Sequence, residues 1–238
     1  MDFKWVIIPI IAVLTLGLIS TTYDHRGSVY PQEHRSYNSN MYESKDRISI
    51  KGVNLDIKFV RGDDIYISHI DKTNVRGDYI EIETPKFPFR ERVLIEIGRD
   101  HNYEEIRISG VKIDLEGSLE TDNLNIDGTS ISLNSEIDAE DINISGTGIN
   151  VKGTIHAENF RLSGTGINID FKTSYLEKFV VSSTGVTGRI IFLENWRSDS
   201  KITLSSLGGD IDFEIPTSSR GYLDINTNGN IRTNTKYY

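Results

Sequence analysis

Apolar residues in the middle of the chain come in pairs two positions apart, and the pairs recur at a fixed interval. Four segments align without gaps: IRISGVKIDLEGSLETDN from Ile106, LNIDGTSISLNSEIDAED from Leu124, INISGTGINVKGTIHAEN from Ile142 and FRLSGTGINIDFKTSYLE from Phe160. Each divides into three pieces of similar length, and in the third segment the pairs are Ile142/Ile144, Ile149/Val151 and Ile155/Ala157. Alternation with a period of two is the signature of a strand with one buried face. Corners of two or three residues between consistently inward pairs turn the chain by part of a circle, so the pattern predicts coiling rather than three hairpins. Successive coils would stack strand upon strand in parallel, about 4.8 Å apart, and merge their apolar columns into one core. The prediction is an all-β, parallel β-solenoid with about 18 residues and three short strands per coil.

The pattern loosens on either side. Phe179/Val181, Ile202/Leu204 and Ile211/Phe213/Ile215 continue the inward pairs, with Gly185, Gly208 and Gly229 at the expected corners. Towards the N-terminus Ile48/Ile50, Leu55/Ile57/Phe59, Ile65/Ile67, Ile80/Ile82 and Val93/Ile95/Ile97 alternate, interrupted by a loop from Thr84 to Arg92. One elongated domain, 48–238, is therefore expected, its irregular end coils acting as caps over sheet edges that would otherwise be sticky.

The chain before Ile48 follows neither pattern. Trp5 to Ser20 carries no charge and reads as a hydrophobic helix over 1–20. Its roughly 16 residues span about 24 Å at 1.5 Å per residue, short of a bilayer core of about 30 Å. The segment is expected to be a signal peptide or a single-pass membrane anchor. The anchor is preferred because Leu18-Ile19-Ser20-Thr21-Thr22 is a poor cleavage site. Residues 21–47 are polar and aperiodic, the mark of a linker. This organisation places the solenoid on the extracytoplasmic side, membrane-anchored or secreted.

Composition narrows the partners. A formal net charge of −9 over 238 residues argues against nucleic acid. The chain has no cysteine, so disulfides, zinc-thiolate sites and a cysteine nucleophile are excluded. Ile, Ser, Gly, Thr and Asn are plentiful, as in strands and turns.

An opening strand pair (SIKGVNLDIKFVRGDDIYIS, Ser49 to Ser68), the S-G-T-G-I-N turns and a late SLGGDIDFEIP stretch (Ser206 to Pro216) resemble the "putative adhesin" β-solenoid family from about Ile48 to Tyr238. The resemblance implies right-handed coils and an exported or membrane-attached protein, in a family with no established enzymatic activity. It carries no catalytic residues over, because the shared motifs are turn and core signatures. The period of the repeat is also similar to that of bactofilins, which polymerise end to end in the cytoplasm. The apolar N-terminal segment departs from typical soluble bactofilins.

Candidate chemistry is sparse. Ser109, Asp127, Ser145 and Ser163, and beside them Thr129, Thr147 and Thr165, line up at the corners next to Gly110, Gly128, Gly146 and Gly164. Glycine there supplies positive φ or close backbone approach. The G-T-G triplets lack the following helix and the Lys-Ser/Thr of a phosphate cradle. His25, His34, His69, His101 and His156 form no metal-ligand spacing and read as solvated. No nucleophile elbow is present. The sharpest feature is acidic: Asp122, Glu140 and Glu158 recur at the interval of the repeat, beside Asn123, Asp141 and Asn159. Such a ladder could hold calcium, which takes six to eight oxygen ligands, and Asp122, Glu140, Asp141 and Glu158 are the metal candidates. The calcium β-roll nonapeptide is absent, and carboxylates on an exposed edge also stay solvated without a metal. A β-helical polysaccharide-acting enzyme would need paired carboxylates in a cleft, for which the corners between Ile106 and Leu176 are too short. Tyr222, Tyr237, Tyr238 and Trp196 could contact a sugar or cap the last coils. The expectation is a non-catalytic protein with no cofactor, binding a cell-envelope protein or glycan, with self-association as the alternative.

Overall fold

The computed structural model describes residues 40–84, 92–194, 196 and 199–238. The hydrophobic segment 1–20 and the linker as far as residue 39 lie outside the described residues. The last stretch of the expected linker forms a strand, β1 (Asn40–Glu43), followed by β2 (Arg47–Val60), β3 (Asp64–Ile67), β4 (Lys72–Arg76), β5 (Tyr79–Glu83) and β6 (Val93–Gly98). The repeats make up β7 (Tyr103–Thr173), and β8 (Leu176–Phe192), β9 (Ser200–Ile215) and β10 (Leu223–Tyr237) complete a nearly all-β chain. Among the described residues its one helical turn is of the 3-10 type, Thr217–Ser219. Among them too, no helix is long and apolar enough to cross a membrane.

Register follows the apolar columns. β2 pairs in parallel with β7, Ile48 beside Ile106 and Leu55 beside Ile113. β7 pairs with β8, Phe160 beside Phe179 and Ile167 beside Val186. β8 pairs with β9, Phe179 beside Ile202 and Val181 beside Leu204, and β9 with β10, Ile202 beside Ile225. A slip of one residue would turn every inward side chain to solvent, so burial of the columns fixes these pairings. Ile106, Ile108, Ile142, Ile144, Ile149, Val151, Ile155 and Ala157 are all buried. Where the inward positions enlarge, Phe160, Phe171 and Phe179 form a layer with ring centroids 5.0–5.7 Å apart.

Outward side chains one repeat apart lie side by side within β7. The Asn143 amide donates to Asn125 Oδ1 at 3.2 Å, Arg161 donates to Asn143 Oδ1 at 3.5 Å, and Asn168 donates to Asn150 Oδ1 at 2.8 Å. The corner glycines serve close approach alone: Gly110, Gly128, Gly146 and Gly164 are not among the positive-φ glycines. A Cβ on Gly146 would stand 2.5 Å from the Gly128 carbonyl oxygen, and one on Gly128 3.0 Å from that of Gly110.

The N-terminal end departs from parallel stacking. β2 runs beside β5 along Arg47–Lys51 and beside β6 along Leu55–Val60. Antiparallel partners then flank those strands, β4 on β5, β3 on β6 and β1 on β3. Tyr103 pins this end: its hydroxyl donates to the Gly98 carbonyl at 2.5 Å and lies 2.9 Å from Ser44 Oγ. Near the other end Trp196 is fully buried, which leaves it no sugar to contact and keeps its packing role. Its ring packs 4.5 Å from Phe192, its Nε1–H donates to Ser200 Oγ, and its carbonyl accepts from Ser219. Tyr222, Tyr237 and Tyr238 remain 41–49% exposed. The Tyr238 hydroxyl donates to the Phe192 carbonyl at 2.7 Å, and Arg220 lies over the Tyr237 ring.

Candidate functional site: an acidic groove

The third inward pair of each repeat, such as Ile137/Ala139 and Ile155/Ala157, leaves the residues between and after it facing outward. Because the repeat is strict, these outward residues fall into rows. Asp122, Glu140 and Glu158 form one, which Glu177 extends, since its neighbours Leu176 and Lys178 pair with Ala157 and Asn159. Glu120, Asp138, His156 and Ser174 form the other, and the Ser174 N–H donates to His156 Nδ1 at 3.1 Å.

Between the rows lies a groove of about 430 Å³ walled by Glu120, Asp122, Asp138, Glu140 and Glu158, with Tyr175 at one end. The five carboxylates make no ion pair with any described residue. Like charges stacked at strand spacing repel one another, and only solvent and salt screen them here. Tyr175 reports the field: its hydroxyl donates to Glu177 Oε1 at 2.7 Å, and that bond, burial, and the charges of Glu177, Glu158 and Asp138 push the phenol up to about 12.

Of the metal candidates, Asp122, Glu140 and Glu158 share the groove wall, whereas Asp141 stands on a different outward row beside Ile142. No group of three or more histidine or acidic side chains among the described residues is arranged to hold a metal ion. The groove therefore presents negative charge and hydrogen-bond acceptors along a row, without a converging shell.

Three of the histidines differ from their expected solvated state. His69 Nδ1 is 2.8 Å from Ser68 Oγ, and His156 meets Ser174. His101 lies with Nε2 3.1 Å from Asp46 Oδ1 and Nδ1 3.6 Å from Asp63 Oδ1, its ring 4.9 Å from that of Tyr103. All three are half-buried. His25 and His34 fall outside the described residues.

No family model matches the chain, and no curated protein does. Among solved structures it is similar to the crystal structure of a "putative adhesin" from Bacteroides fragilis, with a TM-score of 0.53 over 86% of this chain and 98% of that one. The likeness is one of fold. At 15% identity it carries no site residues across, but it agrees with the adhesin-like architecture implied by the Ser49–Ser68 and Ser206–Pro216 segments. Nothing in the comparisons supports the similarity to bactofilins.

Proposed function

We propose that this chain is a non-catalytic protein of the cell envelope that binds or scaffolds through a right-handed parallel β-solenoid, with about 18 residues and three short strands per coil. The N-terminal segment attaches it to the membrane or directs its export, and the solenoid stands on the extracytoplasmic side. The observation that carries the reading is the set of outward rows on β7, where identical or similar side chains repeat along a stiff, parallel-paired sheet and border open grooves. Rows of this kind suit contact with an extended partner, since each coil offers the same chemistry one strand spacing further on. The likeness in fold to the "putative adhesin" supports the reading.

The test is accessibility on intact cells producing the full chain. Added protease is expected to cut in the polar stretch that precedes β1 and release the solenoid. Protection until lysis would overturn the orientation, and turnover of an envelope polysaccharide that is lost on replacing Asp122, Glu140 or Glu158, with thermal stability retained, would overturn the non-catalytic assignment.

A further inference from the structure

A second groove, on the other side of the repeat and near its N-terminal end, has a chemistry unlike the acidic one. Ser49 lies on β2 between Glu81 of β5 and Arg107 of β7. Its short side chain among longer neighbours leaves a depression of about 590 Å³, walled by Lys51, Tyr79, Arg107, Asn125 and Asp127. That volume is within the roughly 300–1,000 Å³ of small-molecule sites.

The walls are held in place. Lys51 Nζ donates to Glu81 Oε1 at 2.5 Å, Arg107 Nε donates to Glu105 Oε1 at 2.6 Å, and the Asn125 amide donates to the same Glu105 oxygen at 3.2 Å. Arg47, also on the wall, donates to Asp78 at 2.5 Å. Each cation thus has a carboxylate beside it, so the groove offers no surplus positive charge to draw in an anion. What it offers is a dense mixture of donors and acceptors beside one aromatic ring.

We propose that this groove binds a neutral oligosaccharide laid across the strands, with the Tyr79 ring against the C–H face of one unit and Arg107, Asn125 and Asp127 bonding hydroxyls of the units beyond it. A sugar hydroxyl donates and accepts at once, so it matches a wall where amide, guanidinium and carboxylate alternate, and hydrogen bonds to the charged members are the stronger ones. An aromatic ring lends apolar area with little loss of side-chain freedom. The assignment rests on the reading of the chain as a binding protein and names the ligand class.

The experiment is saturation-transfer NMR on the full chain in a zwitterionic, sugar-free detergent, with neutral β-linked glucose and α-linked mannose oligomers and an oligouronate as probes. A neutral oligomer is expected to bind with a dissociation constant near the millimolar range. Tyr79→Ala should weaken it about tenfold, the equivalent of one lost aromatic contact, while Tyr79→Phe keeps the ring and stays near the parent. Arg107→Ala should weaken it comparably, with the unfolding temperature of each variant showing that the fold is intact. Three outcomes overturn the proposal: no neutral oligomer binds, only the oligouronate binds, or binding survives Tyr79→Ala and Arg107→Ala unchanged. A chain that is cut by protease on intact cells yet fails here loses the saccharide assignment alone. Protection from protease removes the surface reading whatever the NMR shows.

Discussion

Gly146 and Gly148 stand two residues apart in one G-T-G triplet, and replacing each by alanine should give opposite results. A Cβ on Gly146 would meet the Gly128 carbonyl oxygen at 2.5 Å and Ile131 Cδ1 at 3.1 Å. The first obstacle is backbone in the stacked sheet, which cannot rotate away, so the strands must separate locally or the corner must distort. Overpacking of this kind costs about 1–3 kcal/mol. A Cβ on Gly148 has the Thr129 carbonyl oxygen 3.9 Å away as its nearest neighbour, and this glycine has no positive φ. Alanine fits there, and by restricting the unfolded chain it should stabilise by about 0.4–1 kcal/mol. For a domain of this size 1 kcal/mol moves the unfolding temperature by roughly 2–4 °C. Calorimetry of the full chain should therefore show Gly146→Ala melting about 2–12 °C lower and Gly148→Ala about 1–4 °C higher. Equal shifts for the two variants, or a neutral Gly146→Ala, would refute close backbone approach as the reason for the first glycine.

The buried Tyr103 phenol is pushed up to about 12 by desolvation, from 10.0. A raised folded value gives stability that is complete below pH 10 and lost as the pH rises towards 12, so unfolding followed against pH should show an alkaline loss that Tyr103→Phe reduces by about 2 kcal/mol. Ile144→Asp places a carboxylate in the core, costs several kcal/mol and should yield no cooperatively folded chain. The neighbouring Asn143→Asp keeps the acceptor for Arg161, loses one donation to Asn125, and should cost about 1 kcal/mol or less. Glu140→Gln removes one charge from the acidic row and should raise the unfolding temperature by about 1–3 °C at low salt; a gain that persists in molar salt would show that repulsion is not its source.

The parallel pairing of the repeats was legible in the sequence because both determinants repeat: an inward pair such as Ile142/Ile144 fixes the face, and the constant interval fixes which residues meet. The antiparallel additions β1, β3 and β4 were not, since a strand with one buried face alternates in the same way whichever direction its neighbour runs. Trp196 stayed open between packing and sugar contact for a related reason, lying between β8 and β9 where no period marks which side faces inward. The acidic rows could be read from Asp122, Glu140 and Glu158. Tyr175 escaped because the gapless repeat sets it in the inward column of Ala157, whereas Leu176 takes that place in the pairing of β8 with β7; Glu177 is two residues away, and Glu158 comes near through that pairing. The groove over Ser49 needs β5, β2 and β7 side by side, and Tyr79, Ser49 and Arg107 share no spacing that would announce it.

The pairing of β2 with both β5 and β7 also sets an order in time. Ile48 meets Ile80 first and Ile106 only much further along the chain, whereas later strands find partners about one repeat away, as Asn143 finds Asn125. Closing the long loop from β2 to β7 costs about 1 kcal/mol more than closing a loop of one repeat. At roughly 5–20 residues per second of synthesis, β2 waits about 3–12 s for β7 to emerge. During that interval β2 has one edge occupied by β5 and β6 and the other bare. A nascent chain halted just before β7 should therefore be the form most prone to pair with its neighbours.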